Sequence, residues 1–142
     1  MVLAGNNTYS GNTIVSAGTL TLADSGSILL DINDGSNSAI LGTGTINLNG
    51  ILVLDVADAT VGEWTIVDPA LNVVYGDGFG LMFAGTGTSF AASDDLFTAS
   101  YGGRDWTFDR TSGVLIAVPE PGAVFGILGV AGLALARRRR SR

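Results

Sequence analysis

Two groups of carboxylates stand close enough in the sequence to share a proton: Asp94-Asp95, and Asp105 with Asp109, which has Arg104 beside it. Two carboxyls facing one cleft can hydrolyse a glycosidic bond, one as acid and the other as nucleophile or base. Adjacent strand residues face opposite ways, so Asp94-Asp95 reads as a solvated loop. Asp105 and Asp109 can share a face, where a turn-flanking charge pair is the plainer reading. The stretch "DINDG", Asp31 to Gly35, carries the alternating oxygen donors of a calcium loop but lacks its sixth-position Gly and twelfth-position acid. A weaker cation site built from Asp31, Asn33 and Asp34 is the remaining metal candidate. Nucleophilic catalysis needs a base beside a Ser, Thr or Cys, and the chain has no His, no Lys and no Cys. "GTGTSF" has no Lys after it to complete a phosphate cradle. The expectation is a protein that is not an enzyme and holds no metal or cofactor.

Charge is divided sharply along the chain. Residues 1–118 carry twelve acidic residues against Arg104 and Arg110, a net charge of −10; residues 119–142 carry Glu120 against five Arg, a net charge of +4. An acidic body excludes nucleic acid as its partner, because phosphate binding needs a basic surface. Charge this segregated gives the end of the chain a separate role.

The elements that must position these groups are strands. Thr19-Leu20-Thr21-Leu22, Thr45-Ile46-Asn47-Leu48 and Leu52-Val53-Leu54-Asp55-Val56 alternate apolar with polar residues or span one apolar face, which places Leu20, Leu22, Ile46, Leu48, Leu52 and Leu54 toward a core. "GTLTL" at Gly18 and "GTINL" at Gly44 share a Gly-Thr-apolar-polar-Leu frame about 26 residues apart, near the length of one coil of a β-solenoid. A pair of hairpin strands in a sandwich is the alternative. From Glu63 onward aromatics accumulate, and "EWTIVD", "LFTAS", "DWTFD" and "GVLIAV" read as further strands separated by the turns "GGRD" and "DRTSG". The organisation predicted is an all-β chain: a solenoid segment at 1–62, an aromatic-rich β cap at 63–118 that seals its end, and a separate segment at 119–142.

The stretch "LAGNNTYSGNTIVSAGTLTLA", Leu3 to Ala23, resembles the autotransporter-associated β-strand repeat, with Asn7, Tyr9, Gly11, Thr13 to Val15 and Gly18 to Leu20 in the family's order. The resemblance implies one coil of a right-handed parallel β-helix in a large surface protein. The N-terminus has neither the basic nor the apolar region of a secretory signal. The expectation is that Met1 is an internal start, and that the chain is the C-terminal piece of a longer exported protein.

Gly122 to Ala136 is uncharged and apolar, bounded by Pro121 and Arg137. A helix there reaches about two thirds of the roughly 20 residues that a bilayer core requires, and snorkelling Arg side chains make up part of the difference. Arg137, Arg138, Arg139 and Arg140 then belong on the cytoplasmic side, with the acidic body across the membrane. Gly122, Gly126, Gly129 and Gly132 leave a smooth stripe suited to close approach by another membrane helix, although small residues are also common in such segments. Pro119-Glu120-Pro121, the apolar segment and the Arg cluster together resemble the PEP-CTERM sorting signal. That resemblance implies a substrate of exosortase, a membrane-embedded cysteine transpeptidase of Gram-negative bacteria that make exopolysaccharide. It makes Pro119, Glu120 and Pro121 the recognition and cleavage element, residues 122–136 a temporary transmembrane anchor, and Arg137 to Arg140 the orienting charges. Gly122 stands where the family often has Ser or Thr.

The function expected is that of a non-enzymatic surface or extracellular-matrix protein, an adhesin-like passenger fragment. It starts as an inner-membrane precursor and ends at the cell surface or in the matrix, with exopolysaccharide as a partner of its exposed Thr, Asn and Tyr. The alternative is the C-terminal fragment of a β-helix enzyme acting on polysaccharide, whose acids would line one groove.

Overall fold

The computed structural model describes residues 1–9 and 11–120, and among these the protein is built of strands and turns with no helix. The chain opens with three short strands, β1 (Val2–Leu3), β2 (Asn6–Asn7) and β3 (Thr13–Val15). It then passes over them again with β4 (Thr19–Leu22), β5 (Ser27–Asn33) and β6 (Ile40–Gly42). A third pass supplies β7 (Thr45–Leu48) and β8 (Ile51–Asp58). After β9 (Gly62–Thr65), a fourth pass supplies β10 (Asn72–Tyr75) and β11 (Gly80–Phe83). Pairing between passes is parallel throughout: β1-β4-β7-β10 form one sheet, β2-β5-β8-β11 a second, and β3-β6 a third. A parallel bridge from Ile40 to Val67 carries the third sheet one pass further. Thr19–Leu22 and Thr45–Leu48 are therefore parallel neighbours and not the two arms of a hairpin. Thr21 and its neighbour Asn47 are 26 residues apart.

This register turns alternation along each strand into columns across the strands. Leu22, Leu48 and Tyr75 share one row, and Leu30, Leu54 and Phe83 another. Neighbouring strands lie about 4.8 Å apart, so each inward side chain sits directly on the one from the pass before. Leu20 and Leu22, Ile46 and Leu48, Leu52 and Leu54 are all buried, as their alternation predicts. Stacking this close leaves no room for a side chain at some of the points where one pass lies on the next. A Cβ on Gly50 would collide with the backbone carbonyls of Gly26 and Ala23, and one on Gly42, at φ +127°, with the carbonyl of Val15.

The rows end in rings. An antiparallel sheet, in the order β12 (Ala91–Ser93), β13 (Leu96–Tyr101), β14 (Arg104–Asp109), β15 (Val114–Pro119) and β9, packs its aromatic face against the last parallel pass. Phe83 stacks on Tyr101 with centroids 4.3 Å apart and meets Trp106 edge-on at 5.6 Å; Phe79 meets Phe97 edge-on at 5.2 Å. The edge-on pairs add to burial because the positive edge of one ring meets the negative face of the other. Aliphatic and aromatic side chains form one continuous core. Parallel pairing continues past residue 62 to Phe83, while β9 joins the antiparallel sheet, so the two sheet systems interleave in the sequence.

Replacing Gly50 with Ala should lower stability by about 1–3 kcal/mol, because the contacts it would make are to backbone and cannot swing away. Gly35→Ala, at a position with open space around it, should shift the urea midpoint by far less. Equal shifts for the two variants would show that the corners are not close-packed.

Candidate functional site at the junction of body and C-terminal segment

The last strand of the folded body leads straight into the Pro-Glu-Pro sequence. β15 is held on one edge by β9, whose last pair is Gly62 with Ala117, and on the other by β14, which continues to the pair of Arg104 with Pro119. Beyond Ala117 only β14 remains beside it. Strands β13 and β14 are joined by Gly102-Gly103, both at positive φ (64° and 77°), the conformation that a tight two-residue hairpin turn requires. The Gly103 carbonyl accepts a hydrogen bond from the Glu120 amide at 3.2 Å. Backbone groups of successive strand residues point to alternate edges, so the amide position of Pro119 faces away from β14. Its missing donor therefore removes nothing from that ladder. No linker separates body from motif. Pro121, the predicted membrane segment 122–136 and Arg137 to Arg140 lie outside the described residues. No helix among the described residues is long and apolar enough to cross a membrane.

Of the carboxylates singled out in the sequence, Asp95, Asp105 and Asp109 are each engaged by a neighbouring side chain. Asp94 and Asp95 form the turn between β12 and β13, where Asp94 has φ 54° and Asp95 pairs with Arg110 at 2.9 Å. Asp105 accepts from the Ser100 hydroxyl at 2.8 Å. Asp109 accepts from the Thr111 amide and hydroxyl, and these bonds hold its carboxyl below the usual carboxylate range. A general acid needs the opposite shift. Four strand positions also place Asp105 and Asp109 about 13 Å apart along β14. Paired glycosidase carboxyls stand roughly 5–9.5 Å apart. The Asp31, Asn33 and Asp34 set does not converge either. Asp34 accepts from the Thr60 amide and hydroxyl, the Asn33 carbonyl accepts from the Trp64 indole, and Asp31 lies beside Asp55 on β8. No group of three His, Cys, Asp or Glu among the described residues is placed to hold a metal ion.

Sequence reasoning missed the contact between Arg110 and Tyr75. The Arg110 guanidinium lies over the Tyr75 ring at 5.5 Å and over Phe97 at 5.8 Å while it pairs with Asp95. Together with Asp68, Asn72 and Thr111 it lines a cavity of about 260 Å³ where the last parallel pass meets the antiparallel sheet. The Tyr75 hydroxyl is buried with no hydrogen-bond partner among the described residues, and burial pushes its pKa from 10.0 up to about 12. Alternation in "NVVY" marks Tyr75 as inward, but nothing local names an Arg 35 positions later as its neighbour.

The body of parallel passes is thus joined without a linker to the C-terminal Pro-Glu-Pro sequence. Comparison with known families gives a match at both ends. Residues 1–22 match the Passenger-associated-transport-repeat family, and residues 117–140 match the PEP-CTERM protein-sorting motif. No curated protein and no solved structure gave a match. The sorting motif marks a protein exported to the envelope or surface of a Gram-negative bacterium.

Tyr75→Phe should raise stability at neutral pH by about 1 kcal/mol, because it removes a buried hydroxyl without a partner. The neutral phenol is fully tolerated below pH 10, and stability should fall as pH rises toward 12, by about 2 kcal/mol for the shift of this one group. Chemical unfolding of both proteins between pH 7 and 12 checks this. An equal alkaline fall in Tyr75→Phe would mean that Tyr75 is not the group responsible.

Proposed function

We propose that this chain is a non-enzymatic passenger of the cell surface or extracellular matrix, built as a parallel β-solenoid with an aromatic β cap and sorted by exosortase. The observation that carries the reading is the sorting motif at residues 117–140, which begins inside the last strand of the folded body. In this reading Pro119, Glu120 and Pro121 are the recognition element. Residues 122–136 anchor an inner-membrane precursor, and Arg137 to Arg140 hold its orientation by resisting translocation. The repeat matched at residues 1–22 supports the solenoid, as does the parallel return of each pass onto the one before.

Exopolysaccharide is the partner that the outer face of the first sheet suits. Thr19, Thr45 and Asn72 form one row across β4, β7 and β10, and Thr21 and Asn47 begin the next. The Asn47 amide donates to the Thr21 hydroxyl at 3.2 Å, and the Asn72 amide to the Thr45 hydroxyl at 3.3 Å. These rows offer donors and acceptors at strand spacing, without the basic charge that an anionic polymer would need. Neutral sugar hydroxyls are the matching chemistry.

Mass spectrometry of the C-terminus tests the sorting half of the proposal, with the chain exported in cells with and without exosortase. The expected result is a precursor that later loses its terminal Arg cluster only when exosortase is present. Replacing Pro119, Glu120 and Pro121 by Ala should leave the precursor uncut. A mature protein that still ends in "RRRRSR" in the competent strain would overturn processing.

A further inference from the structure

The Pro-Glu-Pro sequence contains one backbone amide hydrogen, on Glu120, because neither Pro has one. The fold already uses it, in the bond to the Gly103 carbonyl. The other edge of the same stretch offers the Pro119 carbonyl as an acceptor and no donor. β9 has ended opposite Ala117, and at Pro119 that edge carries no donor. An enzyme that takes up an extended segment by adding it to a strand relies on main-chain donors and acceptors for affinity. It meets this segment with its only donor engaged.

We infer that the end of β15 is a latch on processing: Pro119 and Glu120 must leave β14 before an enzyme can take them up, and the bond from Glu120 to Gly103 sets how often they do. The inference rests on the sorting reading above. Opening is local, since Val118 is 47% exposed and the side chains that seal the core, Leu115 and Ala117, lie further back along the strand. Strand ends open at far lower free energy than the body unfolds. Opening changes no covalent bond and precedes any cleavage. The latch gives the folded body a hold on its own release: a body that has formed the Gly102-Gly103 hairpin exposes its motif slowly, and one that has not exposes it freely.

Three variants of the full chain test the latch, each followed by the rate at which precursor is lost in exosortase-competent cells. Inserting Gly-Ser-Gly-Ser between Val118 and Pro119 frees the motif and should speed processing about fivefold, the gain from releasing one hydrogen bond of ordinary net strength. Val118→Pro removes the donor that precedes the motif on the β14 edge without lengthening the chain, and should speed processing by a similar factor. Asp105→Cys with Val118→Cys, at a registered pair in a chain with no other Cys, should slow processing when oxidised and restore it when reduced. Fluorescence of buried Trp106 checks that each body is folded. Acceleration by the insertion alone, with no effect of Val118→Pro, would show that distance from the membrane and not the latch sets the rate. Unchanged rates in all three would overturn the latch while leaving sorting intact. Absence of processing in every strain would instead overturn the sorting reading.

Discussion

Each pass of the chain depends on the pass before it through the parallel ladder, and that single constraint organises the body. Once Thr19–Leu22 is in register with Thr45–Leu48, every inward side chain is committed to stand on its equivalent about 4.8 Å away. A one-residue slip would send the whole apolar set to the solvent face, so burial and register enforce each other. The glycine corners follow from the same closeness. Gly50 lies against the carbonyls of Gly26 and Ala23 because the passes superpose at the turns as well as along the strands.

A stack of this kind cannot finish on a row of Leu and Ile, since the last row would face water along with its unpaired strand edges. Here the rows widen before they stop, from Leu48 to Tyr75 and from Leu54 to Phe83; Tyr75 packs on Phe79, which meets Phe97 and Phe108, and Phe83 meets Tyr101 and Trp106. Burying so much ring surface brought Arg110 over Tyr75 and left the Tyr75 hydroxyl without a partner among the described residues. That hydroxyl is a local disadvantage accepted for the closure of the core. The same antiparallel sheet carries the end of β15 past β9 along β14 alone, and so sets the position of Pro119 and Glu120.

Local rules made much of this legible. Alternation identified Leu20, Leu22, Ile46, Leu48, Leu52 and Leu54 as core residues because the two faces of a strand depend only on parity along the chain. Gly102-Gly103 read as a turn because its conformation is set by two residues and the strands beside them. The carboxylates read as turn and surface groups for similar reasons: Asp109 finds Thr111 two positions away, and Asp105 finds Ser100 directly across the hairpin. The terminal segment was legible because Pro-Glu-Pro, apolar run and Arg cluster are contiguous, and the family match covers residues 117–140.

What the sequence alone determined is therefore the strand character of the body, its inward residues, its acidic surface and the sorting motif at its end. Tertiary structure decided the rest. Whether "GTLTL" and "GTINL" are hairpin arms or parallel neighbours depends on which way the chain crosses between them, which two similar strands do not record. β9 lies between two parallel passes in the sequence yet pairs with β15, about fifty residues later, because its free edge matches the edge that β14 leaves open. The contacts of Arg110 with Tyr75, and of Glu120 with Gly103, arise in the same way. Pairings of this kind join residues far apart along the chain through hydrogen bonds and ring contacts whose partners are chosen only when the sheets assemble.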